Sequence, residues 1–136
     1  MLLTIEKVLI LKSVSIFAET PDDILVEVAS VLEEFRVEPG ETVIEKGEMG
    51  QEMYIIVEGK MRVHDGDKTI AHLTTRDVFG ELAALDPEPR SASVTAEEET
   101  QLFKLRHDVL YELMTERIDV VRGIIRVLCG RLRGTV

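Results

Sequence analysis

Glu81 and Arg90 stand nine residues apart in the stretch FGELAALDPEPRSASV, residues 79–94. Between Asp77 and Phe103 the acidic side chains are Asp77, Glu81, Asp86, Glu88, Glu97, Glu98 and Glu99, and Arg90 is the lone basic one. A single guanidinium in acidic surroundings marks a place where an anion can be held. Gly80 lets backbone approach a ligand closely. ELAAL predicts a short helix whose first amides, near Glu81 to Ala83, are open donors at a positive dipole end. Pro87 and Pro89 stop that helix and turn the chain, which brings Arg90 towards the same amides. Together they can hold one phosphate by charge-assisted hydrogen bonds, and Ser91 can add a hydroxyl and an amide. Glu81 would repel a bare phosphate, but a carboxylate accepts hydrogen bonds from hydroxyls. A ribose phosphate carries both groups. The competing reading is that Glu81 and Arg90 pair with each other on a surface loop and hold no ligand.

The elements that must position these residues are legible in the flanking periodicity. Thr20-Pro21-Asp22-Asp23 predicts a helix start, with Thr20 as cap and two carboxylates at the positive end of the dipole. Ile24, Leu25, Val28, Val31 and Leu32 then recur at helical spacing, to an end near Glu33 and before Pro39. Glycines at 40, 47, 50, 59, 66 and 80 punctuate short β-branched or alternating runs, including YIIV and KMRVH. SASVTA and TQLFKLR read as two more strands, so a small all-β sandwich, roll or barrel is predicted. From His107 the period is helical again. Ile118, Val121, Ile125, Leu128 and Leu132 follow 3-4-3-4 spacing, a coiled-coil-like seam, with Val120, Ile124 and Val127 as a second stripe beside it. Gly123 and Gly130 share one face, where they either admit a close backbone or simply weaken the helix. The architecture expected is helix, β-body, helical tail.

Composition narrows the function classes. Of 136 residues, 45% are apolar and 31% charged, with a net charge of −10. That balance opposes a protein whose main partner is DNA or RNA, because phosphate backbones need a basic face. Arg117, Arg122, Arg126, Arg131 and Arg133 on the C-terminal helix read as solvated or carboxylate-paired. Cys129 is the only cysteine, which excludes an intrachain disulfide and fits a reducing compartment; a buried thiol is expected there. No run approaches the roughly 18 apolar residues of a membrane span. MLLTIEKVLIL lacks a basic leading region and a small-residue cleavage site, so it reads as a short apolar helix or docking segment rather than a signal peptide. A cytoplasmic protein without direct membrane insertion is expected.

FGELAALDPEPRSASV resembles the phosphate-binding cassette of the cyclic-nucleotide-binding domains: F-G-E-L-A, six residues, then R-[AST]-A-[ST]-V. PGETVIEKGEMGQEMYIIVEGKMRV is similar to the strand-and-glycine signature of that family, LKSVSIFAETPDDILVEVA to its leading segment, and LCGRLR to its closing helix. The resemblance covers nearly the whole chain. It implies a mainly β fold with flanking helices: an eight-stranded β-roll of the jelly-roll kind, an N-terminal helix and a C-terminal helical lid. Residues 1–136 would form one domain, with helices over 1–34, the roll over 35–106 and helices over 107–134. The resemblance implies a non-catalytic sensor whose ligand is cyclic AMP or cyclic GMP, with no cofactor. Glu81 would accept from the ribose 2′-hydroxyl. Arg90 would hold the cyclic phosphate, helped by the amides of Ala83 and Ser91 and the Ser91 hydroxyl, with Gly80 and Leu82 shaping the wall. Arg122 and Arg126 are candidates for the part of the lid that covers the purine. Two departures are visible: Pro87 where the family often has glycine, and Gln51 in place of a common aspartate.

Rival classes find less support. A metal-dependent roll enzyme needs clustered ligands, whereas His64, His72 and His107 are isolated and read as surface or satisfied histidines. No G-x-S-x-G elbow or G-x-x-x-x-G-K-[ST] loop is present, and DGDKT reads as a tight turn rather than a calcium loop. A helix-turn-helix after the long helix is not expected, with three residues following Arg133. A degenerate roll that serves as a structural or oligomerising domain remains the alternative to the sensor. Output would pass through the C-terminal helix to a second copy, as a homodimer, or to a linked effector domain.

Overall fold

Periodicity changes at Glu33 and again at His107, and the chain divides at the same places. The computed structural model describes residues 2–135, the side chain of Thr135 excepted. Met1 and Val136, the ends of the expected domain, lie outside them. Of the described residues, 33–107 form one compact unit, and 2–32 with 108–135 form another.

The helical unit holds α1 (Thr4–Lys12), a 3-10 turn (Ser15–Phe17) and α2 (Asp22–Val31), together with two helices from the C-terminal part of the chain. In α2, Ile24, Leu25, Val28 and Ala29 are buried, as the spacing predicts. Its ends differ from the expectation. Pro21, not Thr20, occupies the cap position with extended backbone and no side-chain cap bond. The Thr20 hydroxyl is turned inward and has no hydrogen-bond partner among the described residues. The helix stops at Val31 because Glu33 already belongs to a strand.

The β unit contains β1 (Glu33–Val37), β2 (Thr42–Ile44), β3 (Met49–Gly50), β4 (Glu52–Glu58), β5 (Lys60–Asp65), β6 (Lys68–Thr74) and β7 (Val78–Phe79). The short helix α3 (Glu81–Leu85) follows, then β8 (Glu88–Pro89), β9 (Ser93–Ala96) and β10 (Thr100–Arg106). Two antiparallel four-stranded sheets, β1-β10-β4-β7 and β2-β9-β5-β6, supply the eight strands of the roll, and β3-β8 is an additional pair. Ile56, Met61 and Leu102 are wholly buried in its core, joined by Tyr54, Phe79 and Val94. Each such side chain withdrawn from water contributes about 1.5–3 kcal/mol before conformational entropy is subtracted. DGDKT is the β5–β6 turn, with Gly66 at φ 58°.

The last two helices are α4 (His107–Glu116) and α5 (Ile118–Thr135). Val120 and Ile124 of the second stripe are buried, whereas Ile118, Ile125 and Leu132 of the 3-4-3-4 seam are 58%, 52% and 67% exposed. The two glycines of α5 are not equivalent. A Cβ on Gly123 would lie 3.1 Å from both the Glu19 carbonyl oxygen and the Thr20 hydroxyl, while one on Gly130 would meet nothing within 4 Å. Gly123 therefore admits a close backbone within the unit, and Gly130 does not. Arg117 pairs with Glu27 at 2.7 Å, the carboxylate pairing expected of these arginines. Cys129 is half-buried rather than buried, because it follows the partly exposed seam.

Candidate functional site

The Tyr54 and Phe79 rings stack at 5.1 Å where β4 pairs with β7, and this anchors the start of the motif. Gly80 follows at φ 77°, a left-handed conformation that glycine adopts without strain, and leads into α3. A side chain there is excluded for a second reason: its Cβ would lie 2.6 Å from Arg90 Nη1 and 2.9 Å from the Glu52 carbonyl oxygen. One amide expected to be open is already engaged. Ala83 N–H donates to the Gly80 carbonyl at 3.1 Å, so in this short, tightly wound helix it is not an open donor.

Arg90 is fixed through both backbone and side chain. Its N–H donates to the Glu48 carbonyl at 2.8 Å, and its carbonyl accepts from Gly47 N–H at 2.9 Å. The β3–β8 pairing, Met49 with Pro89 and Gly50 with Glu88, extends the same junction. The guanidinium lies against two glycines, since a Cβ on Gly50 would come within 2.3 Å of Nε. Nη2 donates to the Glu52 carbonyl at 2.7 Å and reaches the Glu52 carboxylate at 3.4 Å. The side chain is only 8% exposed. Glu52 also acts on its other side: burial pushes the Tyr54 phenol well above its ordinary range, and the Glu52 charge pushes it further, against a smaller opposite pull from Arg90.

Phe79, Gly80 and Arg90 line a cavity of about 360 Å³, within the size range of small-molecule sites. Gly80, Glu81, Leu82, Ala83, Arg90 and Ser91, the six cassette residues singled out from the sequence, all line it. Ile44, Val63, Val78, Phe79 and Val94 supply an apolar wall. One cation, Arg90, and two carboxylates, Glu81 and Glu88, face the space. Arg122 and Arg126 are not among the lining residues, all of which fall between 44 and 94; both are exposed on α5 of the helical unit. Gly50 and Glu52 escaped the sequence reading as partners of Arg90. The G-x-x-G spacing at Gly47 and Gly50 was the available signal for the first; nothing local pointed to the second.

The histidines are engaged elsewhere. His64 bonds to the Gly66 carbonyl and Thr95 hydroxyl, His72 to Glu97, and His107 to the Ala84 carbonyl. Among the described residues no group of three or more metal-ligating side chains occurs, and no helix is long and apolar enough to cross a membrane.

The family model described as "Cyclic nucleotide-binding domain" matches residues 34–117, more than half of the chain. The chain belongs to the cyclic nucleotide-binding domain family. Among curated relatives, it is 35% identical over 101 residues to a CRP-like cAMP-activated global transcriptional regulator of Mycobacterium tuberculosis, covering 71% of this chain and 45% of that protein. It is 40% identical over 82 residues to a cGMP-dependent protein kinase of Toxoplasma gondii, covering 60% of this chain and 8% of the kinase. It is 36% identical over 117 residues to the alpha subunit of the Gallus gallus rod photoreceptor cyclic nucleotide-gated channel, covering 80% of this chain and 18% of the subunit. The chain thus spans less than half the length of these relatives. A solved structure, the N-terminal domain of a transcriptional regulator from Streptomyces coelicolor A3(2), superposes with a TM-score of 0.86 at 30% identity, covering 93% of this chain and 92% of that one. The mainly antiparallel β-roll with N- and C-terminal helices is the fold of this cyclic nucleotide-binding domain.

Proposed function

We propose that this chain is a non-catalytic sensor that binds a 3′,5′-cyclic purine nucleotide in the β unit and signals through movement of α5. The observation that carries this reading is the shared cavity: the buried Arg90 guanidinium and the Glu81 carboxylate line one space of nucleotide size. Arg90 would hold the cyclic phosphate, with Ser91 adding its hydroxyl and amide. Glu81 would accept from the ribose 2′-hydroxyl, and the apolar wall would take the ring atoms. Arg122 and Arg126 are proposed to contribute to a lid over the purine. Ligand would be cyclic AMP or cyclic GMP, with no cofactor, and the protein would work in the cytoplasm. Any coupling to α5 is limited by the difference in ligand affinity between its two positions.

The exposed seam of Ile118, Ile125 and Leu132 supports an output through a second copy, or through a linked effector domain of the kind that the regulator, kinase and channel relatives bring to mind. For a homodimer, Ile125→Asp should shift sedimentation velocity from dimer to monomer; an unchanged profile removes the seam from that role. The degenerate-roll reading is favoured by the closed Ala83 amide and by the Glu52 contact, which already gives Arg90 a partner. Calorimetric titration with cyclic AMP and cyclic GMP separates the two. Saturable binding of either supports the sensor, and no heat from both defeats it.

A further inference from the structure

A guanidinium cannot shed its proton in a protein, so a buried one needs compensation in every state the site visits. Arg90 has little freedom to seek it in solvent. Gly50 and Gly80 flank it at distances that leave no space for a Cβ, and only 8% of its side chain is exposed. Among the described residues its hydrogen-bonding compensation comes from Glu52, through a neutral carbonyl at 2.7 Å and a charged carboxylate at 3.4 Å, both on Nη2. The Glu52 side chain is 30% exposed and lies outside the cavity lining.

Electrostatics then sets a conflict. Glu81 and Glu88 line the cavity with Arg90, so Glu52 is a further negative charge acting on the same cation. An arriving phosphate adds one more. Coulomb energy falls with distance, and the carboxylate touching Arg90 claims most of its field. A group that stabilises the empty state more than the occupied one lowers affinity by that difference.

We propose that Glu52 is the counter-ion of Arg90 in the empty site, an internal anion with which the cyclic phosphate must share the guanidinium. Glu52 is thus an affinity-setting residue that need not touch the ligand. The proposal rests on the reading that the cavity takes a cyclic nucleotide. Its signature is a pair of opposite signs. Glu52→Gln keeps the shape and the backbone carbonyl but removes the charge, so the empty protein melts at a lower temperature while ligand affinity rises. A residue that merely supported the fold, or merely aimed Arg90 at the ligand, would lower both.

The experiment compares parent, Glu52→Gln and Glu52→Asp by calorimetry with cyclic AMP and cyclic GMP at low salt, and by thermal unfolding without ligand. Glu52→Gln should bind about five- to tenfold more tightly, the order expected when one partly exposed unit charge beside the phosphate-holding cation is removed in a medium of intermediate dielectric. Glu52→Asp keeps the charge but withdraws it, and should fall between the other two, which preserves the test if the glutamine variant folds poorly. In ligand-free protein, the Arg90 Nη signals in nitrogen-15 spectra should show restricted rotation that Glu52→Gln relaxes. Weaker or unchanged binding by Glu52→Gln, with the parent binding normally, overturns the counter-ion alone. A parent that binds neither nucleotide overturns the sensor reading, and this proposal with it.

Discussion

Gly50→Ala tests the placement of Arg90 without changing any charge. Gly50 is not among the glycines with positive φ, so alanine meets no backbone strain and the effect comes from contact. The new Cβ would sit 2.3 Å from Arg90 Nε, 2.5 Å from Cζ and 2.7 Å from Cδ, whereas ordinary contact begins at 3.4 Å. The guanidinium must therefore withdraw by about 1 Å, which breaks the 2.7 Å bond from Nη2 to the Glu52 carbonyl. A hydrogen bond from a charged group is worth about 1.5–3 kcal/mol. If the displaced guanidinium also loses its aim at the phosphate, nucleotide affinity should fall by about ten- to one-hundredfold, at 1.4 kcal/mol per decade. Arg90→Ala sets the upper limit, roughly 2–5 kcal/mol, the scale for stripping one partner from a buried charge contact. Stability should fall by about 0.5–2.6 kcal/mol, the lost bond less the part that alanine offsets by restricting the unfolded chain. Calorimetry with cyclic AMP and cyclic GMP, beside denaturant unfolding, measures both quantities. Parent-like affinity in Gly50→Ala would refute the claim that the glycine junction positions the phosphate-holding cation.

A 2′-deoxy cyclic nucleotide should bind more weakly by about 1.5–3 kcal/mol if Glu81 accepts from the hydroxyl; equal dissociation constants in calorimetry would remove that role. Gly130→Ala should stabilise the protein by about 0.8–1 kcal/mol through helix propensity, while Gly123→Ala should gain distinctly less, because its Cβ meets the Glu19 carbonyl at 3.1 Å. Equal gains in thermal unfolding would mean that the α5 contact is not as described. The Tyr54 phenol is held neutral in the folded state by burial and by Glu52. Since its folded pKa is raised, the stability tied to it is full below the ordinary tyrosine pKa of about 10 and declines as pH rises beyond it. Tyr54→Phe should flatten that alkaline decline in unfolding experiments, and an unchanged slope would show that another group sets it.

Local spacing alone determined a good deal. Helical recurrence from Ile24 to Val31 and from Val109 to Leu132, and short glycine-bounded strands between them, suffice for a small all-β body, whether sandwich, roll or barrel, with helices at both ends, because burial of one face dictates the period; the roll in particular was what the family resemblance implied. The cassette was equally legible, since Gly80, Glu81, Arg90 and Ser91 lie in one stretch with a helix start and two prolines that dictate its turn. Which α5 stripe is inside was not legible. Val120 and Ile124 are buried and Ile125 is exposed, yet both stripes have helical spacing and similar hydrophobicity; Gly123 against Glu19 and Thr20 distinguishes them, through a contact more than one hundred residues apart in the chain. The capping of α2 was not legible either: the Thr20 hydroxyl is buried beside Gly123 instead of capping the helix. The state of Arg90 was likewise decided in three dimensions. Its charge is written in the sequence, but its partner Glu52 lies 38 residues away and is brought there by the β3–β8 pairing. A residue's charge and its propensity are local properties, whereas the electrostatic field it experiences is the sum over whatever the fold packs beside it.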